Sequence, residues 1–305
     1  MVLSLSLALV LGAVSLVQAS PAPSKRQTIP TLSSSQIATF QSTTFFSAAA
    51  YCSPATTINW SCGENCQKNP DFQPIAAGGD GDDVQFWYVG FDKASNSIVV
   101  AHQGTDTSEF EADLTDAKFE LETLDPTLFP GISSSVEVHD GFAEEQADTA
   151  TTILAAVQSG LSKFGTTKVL LTGHSLGAAL SLLDSVYLPL HLPKSTTFTT
   201  IVYGLPRVGN QAFANYVDAN LHLTHVNDQK DPIPIVPGMF LGFHHPSGEV
   251  HINADGSWSA CPGQDNPSTS CIVGDVPNIF DGTEANHDGP YNSIFIAGDS
   301  AFPCA

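Results

Sequence analysis

Residues 168–172 are a short, largely apolar run; the pentapeptide Gly173-His174-Ser175-Leu176-Gly177 follows, and small and apolar residues at helical spacing continue to position 188. A strand that enters a helix across so few residues must turn sharply, and a glycine on each side of the serine permits it. The turn would expose Ser175 Oγ at a helix N-terminus, where backbone N–H groups can stabilise a negatively charged oxygen. The bare G-x-S-x-G pattern is a weak signal in a chain with 24 glycines. The strand before it and the helix after it make Ser175 a candidate nucleophile.

The same alternation runs along the rest of the chain. Residues 35–51 and 143–164 carry helical stripes, the second through Ile153, Val157, Leu161 and Phe164. Residues 84–91, 97–102, 135–139, 197–203 and 223–227 read as strands, and 210–220 as another helix. Strands alternating with helices imply an α/β fold, with a mostly parallel central sheet and helices on both faces. In such sheets the chemistry collects on loops at the carboxyl ends of the strands. After Asp231 the chain becomes rich in Pro and Gly and reads as loops.

A serine nucleophile needs a base, and the base needs a carboxylate to orient it. The expected chain order after a serine elbow is acid, then histidine. Asp231 heads the stiff run Asp231-Pro-Ile-Pro-Ile-Val-Pro237 just after a strand, with Asp228 as its neighbour. His287 lies on a polar loop ahead of an apolar run, and His244 and His245 are its rivals. Neither a metal-protease helix motif nor a phosphate or dinucleotide loop is present. His222-x-x-His225 falls in a strand-like segment, where the two side chains face opposite sides. No metal or cofactor is expected.

Composition narrows the setting. Against 31 acidic residues stand 10 basic ones, a net charge of −21, which argues against nucleic acid and against docking on anionic membranes. Residues 1–19 read as a signal peptide ending at Ala19, and residues 20–26 as a short pro-segment closed by Lys25-Arg26. Residues 27–305 are then expected to be one secreted domain without stable membrane insertion. Six cysteines in an exported chain imply disulfides, with 15 pairings open. Asn59-Trp60-Ser61 is a glycosylation sequon, whereas Asn266-Pro267-Ser268 is blocked by its proline.

Several further segments occur together. They are Ser47-Ala-Ala-Ala-Tyr-Cys52, His102-Gln-Gly-Thr105, Val138-His-Asp-Gly-Phe142, Thr172-Gly-His-Ser-Leu-Gly177, Tyr203-Gly-Leu-Pro-Arg-Val-Gly-Asn210, the Asp231–Pro237 run, and His287. In this order the chain resembles the fungal class 3 lipases, a family that includes feruloyl esterases. The resemblance implies an α/β-hydrolase fold with Ser175 as nucleophile, His287 as base and Asp231 as its orienter. It implies an oxyanion hole from the N–H groups of Thr105 and Leu176, and a lid at about residues 106–114. It also implies the disulfides Cys52–Cys304 and Cys62–Cys66, and so Cys261–Cys271.

Residues 107–114 of the candidate lid hold three acids beside Phe110, Ala112 and Leu114, so its apolar face is modest. Phe110, Leu114, Phe142, Ile233, Val236 and Phe240 are the candidate groove residues. The leading expectation is a monomeric triacylglycerol lipase working at an oil–water interface. An esterase for soluble or feruloylated esters, and a non-catalytic lipid-binding protein on the same fold, are the alternatives.

Overall fold

The computed structural model describes residues 28–105 and 119–304. The leader and pro-segment, the candidate lid, and Phe110 and Leu114 lie outside the described residues. Its helices are α1 (Ser34–Ala38), α2 (Gln41–Ala49), α3 (Pro54–Thr57), α4 (Glu64–Gln67), α5 (Asp140–Phe164), α6 (Leu176–His191), α7 (Gln211–Asn220) and α8 (Ile272–Asp275). The strands are β1 (Phe72–Gly78), β2 (Trp87–Asp92), β3 (Ser97–His102), β4 (Leu121–Thr123), β5 (Glu137–His139) and β6 (Lys168–Gly173). They continue with β7 (Thr197–Tyr203), β8 (Gly209–Asn210), β9 (Leu223–Asp228), β10 (Phe243–His244), β11 (Glu249–Ile252) and β12 (Trp258–Cys261).

Eight strands form one sheet in the order β1-β2-β3-β6-β7-β9-β11-β12. Its middle, β3-β6-β7-β9-β11, is parallel, and β1, β2 and β12 pair antiparallel at the two sides. Strand alternation divides the core between the two faces. On β3, Ile98 and Val100 pack with α5 and α6 residues such as Ile153 and Leu182, while Val99 and Ala101 pack with Phe46 and Ala49 of α2. Of a second, four-stranded sheet, β10-β8-β5-β4, only β5 lies in a segment that reads as a strand; the others have only two or three residues, too few for a periodic signal.

The structure departs from the sequence pattern in three places. The helix expected over 35–51 is two helices. At the break, the Phe40 carbonyl accepts from the hydroxyls of Thr43, Thr44 and Tyr203, and the Phe40 ring stacks on Trp258 at 5.7 Å. Strand β1 contains Pro74, which a sheet tolerates at its edge, and β1 is the edge strand. Finally, the region after Asp231 is not all loop. β11 and β12 are four residues each and form a hairpin closed by a turn in which Gly256 has φ +82°, too short for a periodic signal.

The cysteines pair as Cys52–Cys304, Cys62–Cys66 and Cys261–Cys271. Residues 30–32 cover the outer side of β12, through Leu32 N–H to Trp258 O and Ala260 N–H to Pro30 O. Asn59 is exposed, with its side-chain amide on the Ala55 carbonyl. Among the described residues, no helix is long and apolar enough to cross a membrane.

Ile153 is fully buried where α5 meets the sheet. Ile153→Ala is expected to lower unfolding free energy by about 2–5 kcal/mol, measured by urea denaturation, through lost burial and the cavity left behind.

Candidate active site

Three of the four candidate segments follow parallel strands of the central sheet. Thr105 follows β3, Ser175 joins β6 to α6, and Asp231 follows β9. His287 comes last, on a turn after α8. Its loop is tied to the Asp231 loop by a hydrogen bond from Thr283 N–H to the Lys230 carbonyl.

Ser175 has φ +59° and ψ −129°, a left-handed conformation that a non-glycine residue adopts only under tertiary constraint. Its N–H donates to Tyr203 O at 3.0 Å, fixing the turn to β7. The flanking glycines are needed for space. A Cβ on Gly173 would lie 2.2 Å from the Gly177 carbonyl oxygen, and one on Gly177 would lie 2.3 Å from His102 O. Gly104 is as constrained: a Cβ there would sit 2.9 Å from Ser175 Cβ, so glycine lets the Thr105 segment close on the serine. Leu176 opens α6, where N–H groups have no intrahelical acceptor. Ser175 Oγ is buried and has no hydrogen-bond partner among the described residues.

Asp231 and His287 meet directly. His287 Nδ1 lies 3.1 and 3.0 Å from the two Asp231 oxygens, and both side chains are buried. Ile233 N–H also donates to Asp231 Oδ1, at 2.9 Å. A carboxylate can only accept, so Nδ1 carries the proton and the lone pair is on Nε2. The Tyr291 hydroxyl lies 3.1 Å from His287 O and 3.4 Å from Asp231 Oδ2. Gly204, at φ +54°, clears the space against which the His287 ring rests, since a Cβ there would come within 2.8 Å of the ring.

His174, the second residue of the elbow, was not singled out by sequence reasoning, although it stands inside the motif. Its Nε2 lies 2.7 Å from the His287 carbonyl, and its Nδ1 lies 2.7 Å from the Tyr51 hydroxyl. A carbonyl cannot donate, so Nε2 bears the hydrogen. In the neutral ring Nδ1 is then an acceptor, and the Tyr51 hydroxyl donates to it. Burial, reinforced by the nearby His287 ring at 4.4 Å, holds His174 well below the usual histidine range. Helix α2, the elbow and the base loop are joined through this one imidazole.

Other candidates fall elsewhere. His245 is buried on Pro234 O and stacked on His225, and burial pushes both rings down to about 3. His244 faces Asp265. Arg207 pairs with Asp265 and donates to the carbonyls of Ile235 and Pro237, holding the loop after Asp231. Of the groove candidates, Val236 and Phe240 line a cleft of about 470 Å³ with Phe119, Ile235, Met239 and Ile279. Phe142 lies in the core, stacked on His139, and Ile233 is buried beside Asp231.

Asp228 is buried next to Asp231, and burial together with that neighbouring charge pushes its carboxyl from 3.8 up to about 7. The native protein therefore keeps this proton up to about pH 7, whereas the unfolded chain releases it near pH 4. Stability due to Asp228 falls as pH rises between these limits. Asp228→Asn is expected to raise Tm relative to the parent at pH 8 but not at pH 4, as calorimetry at the two pH values would show.

A model of the class 3 lipases matches residues 99–241. A secreted mono- and diacylglycerol lipase of Malassezia globosa is 35% identical over 201 residues, covering 65% of this chain and 64% of its own length. A secreted mono- and diacylglycerol lipase of Gibberella zeae is 30% identical over 262 residues, covering 82% of this chain and 81% of its own. The chain thus spans a little under two thirds of the first relative and about four fifths of the second. Among solved structures, the lipase of Rhizopus microsporus var. chinensis superposes with a TM-score of 0.76 at 26% identity, covering 89% of this chain and 92% of that one. The Lip2 lipase of Yarrowia lipolytica shares the fold, with a TM-score of 0.77 at 22% identity over 90% of this chain and 98% of its own. The chain belongs to the class 3 lipase family.

Proposed function

We propose that the protein is a secreted serine hydrolase of carboxylic esters that acts on acylglycerols at a lipid–water surface. The observation that carries this reading is the buried Asp231–His287 couple beside the strained Ser175 elbow. In the reaction, His287 Nε2 takes the Ser175 proton as Oγ attacks the ester carbonyl carbon. The N–H groups of Thr105 and Leu176 hold the resulting oxyanion. His287 then gives the proton to the departing alcohol, leaving an acyl-Ser175 ester. A water molecule, deprotonated by His287, attacks that ester, and the carboxylic acid leaves as Ser175 regains its proton. Asp231 keeps the imidazole in the required tautomer throughout.

A leader at 1–19, a pro-segment at 20–26, a single domain from residue 27 and a monomeric state complete the reading; Ser175, Asp231 and His287 come from one chain, so the site needs no second copy. The names of its relatives, secreted mono- and diacylglycerol lipases, support mono- and diacylglycerols as substrates in this reading. The surface supports a lipid substrate over a soluble ester. Met239, Phe240, Leu241, Ile279 and Phe280 make up five of the seven large apolar side chains exposed among the described residues, with Phe240 at 90% and Phe280 at 95%. They lie on two short turns, one following the Asp231 loop and one preceding His287. So concentrated an apolar rim marks a contact surface.

Ser175→Ala is expected to abolish hydrolysis of diolein, triolein and p-nitrophenyl butyrate while the circular dichroism spectrum stays that of the parent. Retained turnover would overturn the nucleophile assignment. Phe240→Ser/Phe280→Ser is expected to lose at least about tenfold on emulsified diolein, through lost apolar burial, while keeping its rate on p-nitrophenyl butyrate. Faster turnover of methyl ferulate than of diolein by the parent would instead favour the esterase reading.

A further inference from the structure

We propose that His102, Asp184 and Gln146 form a second buried acid–histidine couple, whose task is to position the Thr105 segment over Ser175. The inference rests on the ester-hydrolase reading above and adds positioning residues to it.

His102 is the last residue of β3, Asp184 lies on α6 nine residues beyond Ser175, and Gln146 lies on α5. All three are buried. His102 Nε2 is 2.9 Å from Asp184 Oδ2, and Gln146 Nε2 donates to Asp184 Oδ1 at 2.8 Å. The carboxylate can only accept, so both nitrogens donate to it. From Gly177 to Leu188, Asp184 is the only ionisable carboxyl in a buried, mostly apolar stretch of α6. A buried carboxylate is costly there, and an apolar side chain would pack without that cost. Gln146 adds to the cost, because its Oε1 has no partner among the described residues. Packing alone does not account for this trio. What the trio does is tie the end of β3 to α5 and α6.

The end of β3 leads to the proposed oxyanion donor Thr105. His102 is paired with Gly173 across β3 and β6, level with the start of the elbow, and Thr105 follows three residues later. The first turn of α6 rests on the carbonyls of His102 and Gln103, at a distance that only a glycine at 177 allows. From the other side, Gln103 exchanges hydrogen bonds with Phe86, its N–H donating to Phe86 O at 2.8 Å and its Oε1 accepting from Phe86 N–H at 2.9 Å. The neighbouring Gln85 N–H bonds to Glu145, the residue before Gln146. The segment leading to Thr105 is therefore fixed on the strand side by Gln103 and on the helix side by the Asp184 couple. An oxyanion donor must sit within about 3 Å of where charge develops, and a small displacement there weakens the transition state more than the ground state. The couple's hydrogen bonds hold the last residue of β3, and it is through β3 that it acts on the Thr105 segment.

The test uses the full-length mature protein with p-nitrophenyl butyrate, a soluble ester that bypasses surface binding. Asp184→Leu and His102→Phe are expected to lower kcat at least about tenfold with KM within about twofold. Affinity for butane boronic acid, whose tetrahedral adduct places an oxygen at the oxyanion position, should fall in parallel. The pH midpoint of kcat/KM, set by His287, should stay in place, and His102→Gln, which restores an N–H donor toward Asp184, should recover part of the rate. Gln146→Leu, which removes only the outer donor, gives a smaller loss of the same kind and serves if the others do not fold. Folded variants with unchanged kcat and boronate affinity would overturn the proposal. So would a shifted pH midpoint, which would place the couple's effect on the triad, or equal rates for His102→Gln and His102→Phe. Fluorophosphonate labelling of Ser175 in the parent separates the two readings: an unlabelled parent removes the ester-hydrolase reading itself, whereas a labelled parent with indifferent variants removes only this inference.

Discussion

The contact on which the site depends is between two backbones: the first turn of α6 lies directly on the end of β3. It exists only because residue 177 has no side chain. Bringing these segments together sets the end of β3, which leads to Thr105, against the elbow that carries Ser175 and Leu176, where Ser175 has its positive φ. The strain at that residue is held by what surrounds it: the N–H bond to Tyr203, the glycine at 104, and the buried polar groups beneath. A helix N-terminus supplies its donors without reorganising them, so the electrostatic part of the chemistry is built into the folded state.

Much of this could be read from the sequence where a local rule and a tertiary requirement agree. The strand–glycine–serine–glycine–helix junction, the long amphipathic α5 and the parallel succession β3, β6, β7 and β9 each carry a signal longer than one turn or one strand. The elements that escaped are short or depend on a neighbour. Pro74 argues against a strand until its place at the edge is known, and β11 and β12 are four residues each. The site divides in the same way. Ser175, Asp231 and His287 stand in recognisable segments in the expected order. The partnership of His174 with Tyr51 and His287, or of His102 with Asp184, joins residues 82 to 123 positions apart and leaves no local trace.

The histidines show how an acidic chain handles its interior. With 31 acidic residues at its disposal, the protein could have charged its buried imidazoles by pairing each with a carboxylate. Instead His174, His225 and His245 are bonded to main-chain carbonyls and burial keeps them neutral. His174 is a strut held at both ring nitrogens, by Tyr51 and the His287 carbonyl, whereas His225 and His245 are each held at Nε2 and stack on one another. The acids stay mostly outside, and those that enter, such as Asp184, Asp231 and Asp265, come with named donors.

The bond between Cys52 and Cys304 has a topological consequence. It turns 253 consecutive residues, from the end of the α2 segment to the last turn, into a closed ring. His287 is attached near the seam of that ring, and Tyr51 immediately precedes its other side. A loop so close to a chain end would ordinarily be among the first parts to peel away. Here His287 lies inside a closed covalent loop and not on a free tail. A single cut elsewhere in the ring would leave one covalent molecule, with the histidine still anchored beside the helix that steadies it.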